Sequence, residues 1–249
     1  LLATGDAAGA ETEFKKAQDL GASADQIVPP MVQALLQTGQ YSKVTSDYAS
    51  QQLSGEDAQA NLKTSLAIAW LRQGQPDKAR TNLDEALKAK PDHAPALLEL
   101  ARTTALTGDL DGALAGLDKL PRQSPTGPDA LKLRGDLLLY GKRDMAGALA
   151  AYQESLQINP SYKEGQAAVI ELLLVQGKPD DAEKALQGLI KAAPGAPRTL
   201  FLEALLAYTK KDLPKAQEKL QNVLRQTPEN YRALELAGMT ELQLGANVQ

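Results

Sequence analysis

Cysteine is absent from the 249 residues, which excludes disulfides, iron–sulfur clusters and thiolate zinc sites and leaves the redox compartment undetermined. Histidine occurs once, at His93, so neither His–Cys chemistry nor a multi-histidine zinc site can be assembled. Aromatic residues are scarce, with seven Tyr, two Phe and one Trp, and a platform for stacking sugar rings has little to be built from. The longest strictly apolar run is six residues, Leu66 to Leu71, far short of the roughly 20 that span a membrane. Neither sign of charge dominates: 27 Lys and Arg face 31 Asp and Glu, for a net charge of −4. A mildly acidic chain gives no ground for general nucleic-acid binding. Two catalytic signatures are also missing. No glycine-rich phosphate loop ends in Lys-Ser or Lys-Thr, and no serine sits in the glycine-serine-glycine spacing of a nucleophile elbow.

What is present is a period. Glycine followed by a polar residue recurs at Gly5-Asp6, Gly39-Gln40, Gly74-Gln75, Gly108-Asp109 and Gly177-Lys178. The steps are 34, 35, 34 and 69 residues, the last being two periods. Lys211-Asp212 and Gly245 continue the series at further steps of 34. The skipped member is Gly141-Lys142-Arg143-Asp144, where one extra residue is expected in the turn. Five residues after each start stands a small residue: Ala10, Ala79, Ala113, Ala182 and Ala216, with Ala148 in the lengthened turn and Val44 as the exception. A second series, Pro91, Pro125, Pro160, Pro194 and Pro228, runs in the same register.

Between these marks the apolar spacing is helical. Leu97, Leu100, Ala101 and Thr104 are expected on one face of a helix over 96–107, and Ala79, Leu83, Ala86 and Leu87 on one face over 76–89. Pro76, Pro179 and Pro214 fall in the first turn of a second helix, where the missing N–H costs nothing. Asp109, Asp144 and Asp212 are placed to cap that helix. Each unit therefore reads as helix, short turn, helix, proline loop. Residues 41–57 are the poorest unit, with a serine-rich second helix and no closing proline, and Pro29-Pro30 is expected to interrupt or delay the helix before Gly39.

The 34-residue unit, with its small-residue and proline positions, resembles the tetratricopeptide repeat. The resemblance covers nearly the whole chain and is clearest in 60–125 and 161–228. It implies an all-α, right-handed α-solenoid over 1–249, of about seven helix pairs with incomplete repeats at both ends, cut from a longer array. More narrowly, Leu1 to Glu11, Gly21 to Val32, the run from Gly135-Asp136 and the run Ala233 to Gly238 resemble the tetratricopeptide-repeat lipoproteins of the PEP-CTERM/exosortase system. That resemblance implies the periplasmic side of a bacterial envelope and a role in protein sorting or exopolysaccharide export. It would also place any lipid anchor upstream, because the lipidation cysteine is absent here.

A solenoid offers a concave surface lined by the first helix of each unit. In the repeat family, residues two, five, nine and twelve of that helix face the groove. Carried onto this chain, the middle of the groove holds Arg102, Lys132, Asp136, Glu164 and Glu171, a mixed-charge stretch. The next units contribute Arg198, Phe201, Leu205, Tyr208, Arg232, Met239 and Leu242, apolar with two arginines at the edge. Arg198, Phe201, Leu205, Tyr208, Arg232 and Met239 are the expected contacts for a protein or peptide segment, with burial of the apolar stripe against neighbouring repeats as the alternative. Position nine has no asparagine in any unit, so the lysine–asparagine clamp of co-chaperone repeats is not expected. His93 reads as an exposed loop histidine, and Glu164 with Glu171 as ordinary solvated charges. No catalytic residue, cofactor, metal, nucleic-acid partner or inserted membrane segment is expected. Direct polysaccharide binding and regulation of an envelope enzyme are the alternatives to a protein-binding scaffold.

Overall fold

The computed structural model describes residues 7–246. The turn at Gly5-Asp6 and most of the opening string therefore lie outside the described residues. Helices α1 (Ala7–Asp19), α2 (Ala24–Gln37), α3 (Tyr41–Asp47), α4 (Glu56–Arg72), α5 (Pro76–Ala89), α6 (Ala94–Leu106) and α7 (Leu110–Leu117) come first. Helix α8 (Gly127–Asp136) runs into a π-helical turn (Leu137–Gly141). It is followed by α9 (Met145–Ile158), α10 (Lys163–Val175), α11 (Pro179–Ala192), α12 (Pro197–Thr209), α13 (Leu213–Gln226) and α14 (Tyr231–Ala246). No strand occurs among the described residues. The fold is all-α, an α-solenoid of helix–turn–helix repeats. The helices gather into two compact units that divide between Ala130 and Leu131.

Each repeat folds for local reasons. The left-handed residue that ends a first helix is Gly39, Gly74, Gly108 or Gly177, with φ between 70° and 89°, a region where a Cβ is strained. After Gly39, Gly74 and Gly177 the N–H of the next residue reaches back to the fifth carbonyl before it, as in Gln75 to Trp70 at 2.9 Å and Lys178 to Leu173 at 2.9 Å, the Schellman closure. The second helices α7, α9 and α13 then start on a side-chain cap. Asp109, Asp144 and Asp212 accept the N–H groups of Gly112, Gly147 and Lys215 at 2.8, 2.9 and 3.3 Å. Pro76 and Pro179 open α5 and α11, and Pro214 is the second residue of α13.

Packing follows the small residues. Ala79, Ala113, Ala148, Ala182 and Ala216 are all fully buried, as is Val44, because first and second helices cross closely at those points. Within the first unit, Val32, Leu35, Val44, Leu62 and Leu66 form one cluster, and Ala67, Ala79, Leu83, Ala86 and Ala96 another. In the second unit Ala167, Ile170, Ala182, Leu186, Leu202 and Leu220 lie at the centre. Each buried Leu or Ile contributes about 1.5–3 kcal/mol.

Four sequence expectations are corrected. Pro29 and Pro30 lie inside α2 rather than interrupting it. The helix continues because Val28, Met31, Val32 and Leu35 are all buried, and that burial outweighs two missing donors. The extra residue of the 141–144 turn is absorbed in part by the end of the helix. Lys142 N–H bonds to the Leu137 carbonyl at 3.1 Å and Asp144 N–H to Leu138 at 2.8 Å, so the closure spans one residue more than elsewhere. The left-handed position then falls on Arg143, φ 57°. In α6 the fully buried side is Ala96, Leu98, Ala101 and Thr103, while Leu97, Leu100 and Thr104 are only half-buried, since this helix is covered on more than one side.

The fourth correction concerns His93, which is not an exposed loop histidine but is 5% exposed. Its Nδ1 accepts the Ala96 N–H at 3.3 Å and caps α6. The Thr64 hydroxyl lies 3.4 Å from Nδ1, and Nε2 lies 3.1 Å from Asn61 Oδ1. Both Thr64 and Asn61 belong to α4, so the imidazole joins one repeat to the next.

Candidate functional site

In the second unit, α8 from Leu131 onward with its π-helical turn, and the first helices α10, α12 and α14, line a cleft of about 660 Å³. Its walls include Lys132, Asp136, Leu139, Tyr140, Glu171, Leu172, Arg198, Leu205 and Arg232. A smaller hollow of about 310 Å³ is lined by Pro197, Phe201 and Asn230 and shares Glu171, Arg198 and Arg232 with the cleft. These three charged residues therefore stand where the two spaces meet.

At one end of the cleft Asp136 is held by both oxygens. Lys132 Nζ lies 2.6 Å from Oδ2, and the Tyr152 hydroxyl donates to Oδ1 at 2.8 Å. Burial, with the Asp136 charge beside it, pushes the Tyr152 phenol far above its ordinary pKa, so the hydroxyl stays a donor. Tyr152 reaches this position because residue 135 is glycine: a Cβ there would stand 2.2 Å from the ring. Tyr140, 74% exposed, rises at the rim; partial desolvation, then the Glu171 and Asp136 carboxylates, raise its pKa.

At the junction the Glu171 carboxylate faces two guanidiniums. Arg232 Nη1 donates to Glu171 Oε1 at 3.2 Å, and Arg198 Nη2 lies 3.8 Å from the same oxygen. The Glu171 side chain is only 18% exposed, whereas the two arginines are 50% and 44% exposed. Arg232 also lies over the Phe201 ring, 4.8 Å from its centroid. Glu171 is thus a paired, largely covered group, not an ordinary solvated charge. Glu164, on the same helix, is exposed as expected.

Of the six expected contacts, Arg198, Leu205 and Arg232 meet at the cleft. Phe201 lines the hollow but is 7% exposed and belongs to the unit's core. Tyr208 packs against that core and accepts a hydrogen bond from Gln243 of α14 at 2.6 Å. Met239 is 42% exposed on α14, as Leu242 is at 75%, and neither lines the cleft. The sequence reading missed Tyr140 and Tyr152. Tyr140 falls in the irregular π-helical turn, and the lengthened Gly141–Asp144 spacing is the signal that could have flagged it. Tyr152 comes from a second helix and enters only through the gap left by Gly135.

Among the described residues no three His, Cys, Asp or Glu side chains gather as metal ligands, and no helix is long and apolar enough to cross a membrane.

Family profiles described as tetratricopeptide repeat match residues 71–137, 139–206 and 204–248. The chain is 26% identical over 151 residues to the human protein O-mannosyl-transferase TMTC3 (Homo sapiens). It is 24% identical over 169 residues to cellulose synthase operon protein C of Pseudomonas fluorescens strain SBW25. These stretches cover 61% and 65% of this chain but only 16% and 13% of the two relatives. A tetratricopeptide repeat protein from Parabacteroides merdae has a similar fold, with a TM-score of 0.64 at 13% identity over 96% of this chain and 94% of that one.

Proposed function

The chain belongs to the tetratricopeptide repeat family, and from that premise we propose that it is a non-catalytic scaffold whose second unit receives a segment of a partner protein. The observation that carries this reading is the cleft itself. Four first helices place exposed Tyr140 and half-buried Leu139 and Leu205 beside fixed charges. Apolar and aromatic anchors supply most of the affinity in such a groove, while the charges set register.

The setting we propose is the periplasmic side of a bacterial envelope, in protein sorting or exopolysaccharide export. The narrow likeness to exosortase-system lipoproteins supports it, as does the similarity to a cellulose synthase operon protein. That second similarity also favours a polysaccharide-handling complex, in which the alternative readings are direct glycan contact or regulation of an envelope enzyme. The transferase named among the relatives shares only a small part of its length with this chain, and its activity is not carried over.

A photo-crosslinking phenylalanine analogue at Tyr140, introduced into the full-length protein in its host cells, tests the scaffold. A discrete protein adduct at position 140, absent when the analogue replaces exposed Lys88, is the expected result. Adducts only to glycan would move the reading to direct polysaccharide contact. Identical labelling from both positions would remove the cleft from consideration.

A further inference from the structure

We propose that the Arg198–Arg232 pair receives an acidic side chain from an extended peptide segment, and that Glu171 is a built-in stand-in for that carboxylate. The inference rests on the cleft being a protein-binding site, and it specifies what the cleft selects.

Two guanidiniums carry ten N–H donors between them, and a planar guanidinium is suited to gripping a carboxylate with two parallel bonds. Here a single oxygen serves both. One contact is a hydrogen bond at 3.2 Å, and the other is a 3.8 Å approach without one. Two positive charges therefore share one negative charge, in a chain whose net charge is −4. Lys132 does not alter this balance, being closed on Asp136 at 2.6 Å. The surplus charge is also displayed. Both arginines are about half exposed, Glu171 is mostly covered behind them, and Arg232 is braced over the Phe201 ring. An incoming carboxylate meets donors that are already aimed and pays little to order them.

The position of the pair argues for an internal acidic residue rather than a chain terminus. Arg198 and Arg232 line both the 660 Å³ cleft and the 310 Å³ hollow, so space continues on either side of them. A segment crossing the junction places a side chain there; a terminus would leave one of the two spaces empty. Apolar side chains flanking the acid would lie toward the half-buried Leu139 and Leu205 in the cleft.

Glu171 has two opposed effects. Its charge holds the guanidiniums together while the cleft is empty, and it repels and competes with the ligand's carboxylate when one arrives. Neutralising it without changing its shape separates these effects, because an amide oxygen still accepts a hydrogen bond but carries no charge. A residue that merely held the arginines in place would weaken binding when neutralised; a stand-in strengthens it.

The probes are two fluorescently labelled peptides, acetylated and amidated at their ends so that only side chains are charged. One has two Glu residues set among Leu and Ser, and the other has Gln at the same places. Binding is read by fluorescence anisotropy at low and moderate salt. The acidic peptide is expected to bind at least tenfold more tightly than the Gln peptide. Arg232→Gln and Arg198→Gln should each erase most of that difference. Glu171→Gln should tighten the acidic peptide about threefold or more and leave the Gln peptide unchanged. Circular dichroism melting of each variant confirms that the folded fraction is the same. Equal binding of the two peptides overturns the carboxylate assignment while leaving the cleft a binding site, and weaker acidic-peptide binding by Glu171→Gln overturns the stand-in role. Failure of both peptides to bind the wild-type protein overturns the carboxylate assignment and the cleft together.

Discussion

A histidine at a helix start is an uncommon cap, and His93 can fill that place only while Nδ1 is unprotonated, because Nδ1 accepts the Ala96 N–H. Burial first, and the nearby Lys90 charge second, depress its pKa below the ordinary 6.5, with Asp57 and Asp92 opposing. The sign follows from linkage. As pH falls through about 6.5 the unfolded chain takes up a proton before the folded one does, so stability declines on the acid side. Wild-type protein should therefore lose more stability between pH 7 and 5 than His93→Asn, whose amide still accepts the cap bond. Urea melts of both proteins at the two pH values read the difference. Parallel pH dependence of the two proteins would rule out His93 as the titrating group.

Lys211 gives a second prediction at this scale. It occupies the left-handed turn position that four other turns fill with glycine, at φ 66°. Lys211→Gly should raise stability by about 0.5–1 kcal/mol, since the Cβ strain removed exceeds the added freedom of the unfolded chain. The reverse change, Gly177→Lys, places a side chain at φ 70° and should cost a similar amount. Chemical denaturation of both variants checks the pair; equal effects of the same sign would contradict the strain argument.

Where helices cross, the controlling quantity is side-chain volume. Ala182 of α11 is fully buried in the cluster that includes Ala167, Ile170 and Leu186. Ala182→Leu adds three carbons with no space for them and should destabilise by about 1–3 kcal/mol. Lys88→Leu on the exposed side of α5 should stay within about 0.5 kcal/mol. Thermal melts of the two variants decide it, and matching melting temperatures would mean that Ala182 is not a crossing point. Gly135→Ala should be at least as damaging, because its Cβ would meet the Tyr152 ring at 2.2 Å and displace the hydroxyl from Asp136. In this variant the loss of packing and the loss of the cleft's fixed end come from one methyl group.

Repeat proteins sum their stability from local terms and nearest-neighbour contacts, so damage should stay near its origin. Ala182→Leu is expected to lower hydrogen-exchange protection chiefly in α10–α13 and to leave α4 and α5 close to wild type. Uniform loss across all helices would show a more cooperative molecule than repeat packing allows. Much of this architecture was legible beforehand because its signals are local. The turn glycine, the cap aspartate, the first-turn proline and the crossing alanine all stand within five residues of each other. Each of them acts through its own helix or the next, and the period alone determined the helix–turn–helix repeat and the small crossing positions, while the expectation that first helices line a groove came from the resemblance to the repeat family. The tertiary structure decided what no period encodes. Glu171 meets Arg232 across 61 residues, and His93 meets Asn61 across 32. It also decided that Phe201 is covered while Tyr140 is exposed. Those outcomes depend on how far one helix slides and rotates against another, and that is settled by the summed packing of many side chains rather than by the spacing of any few.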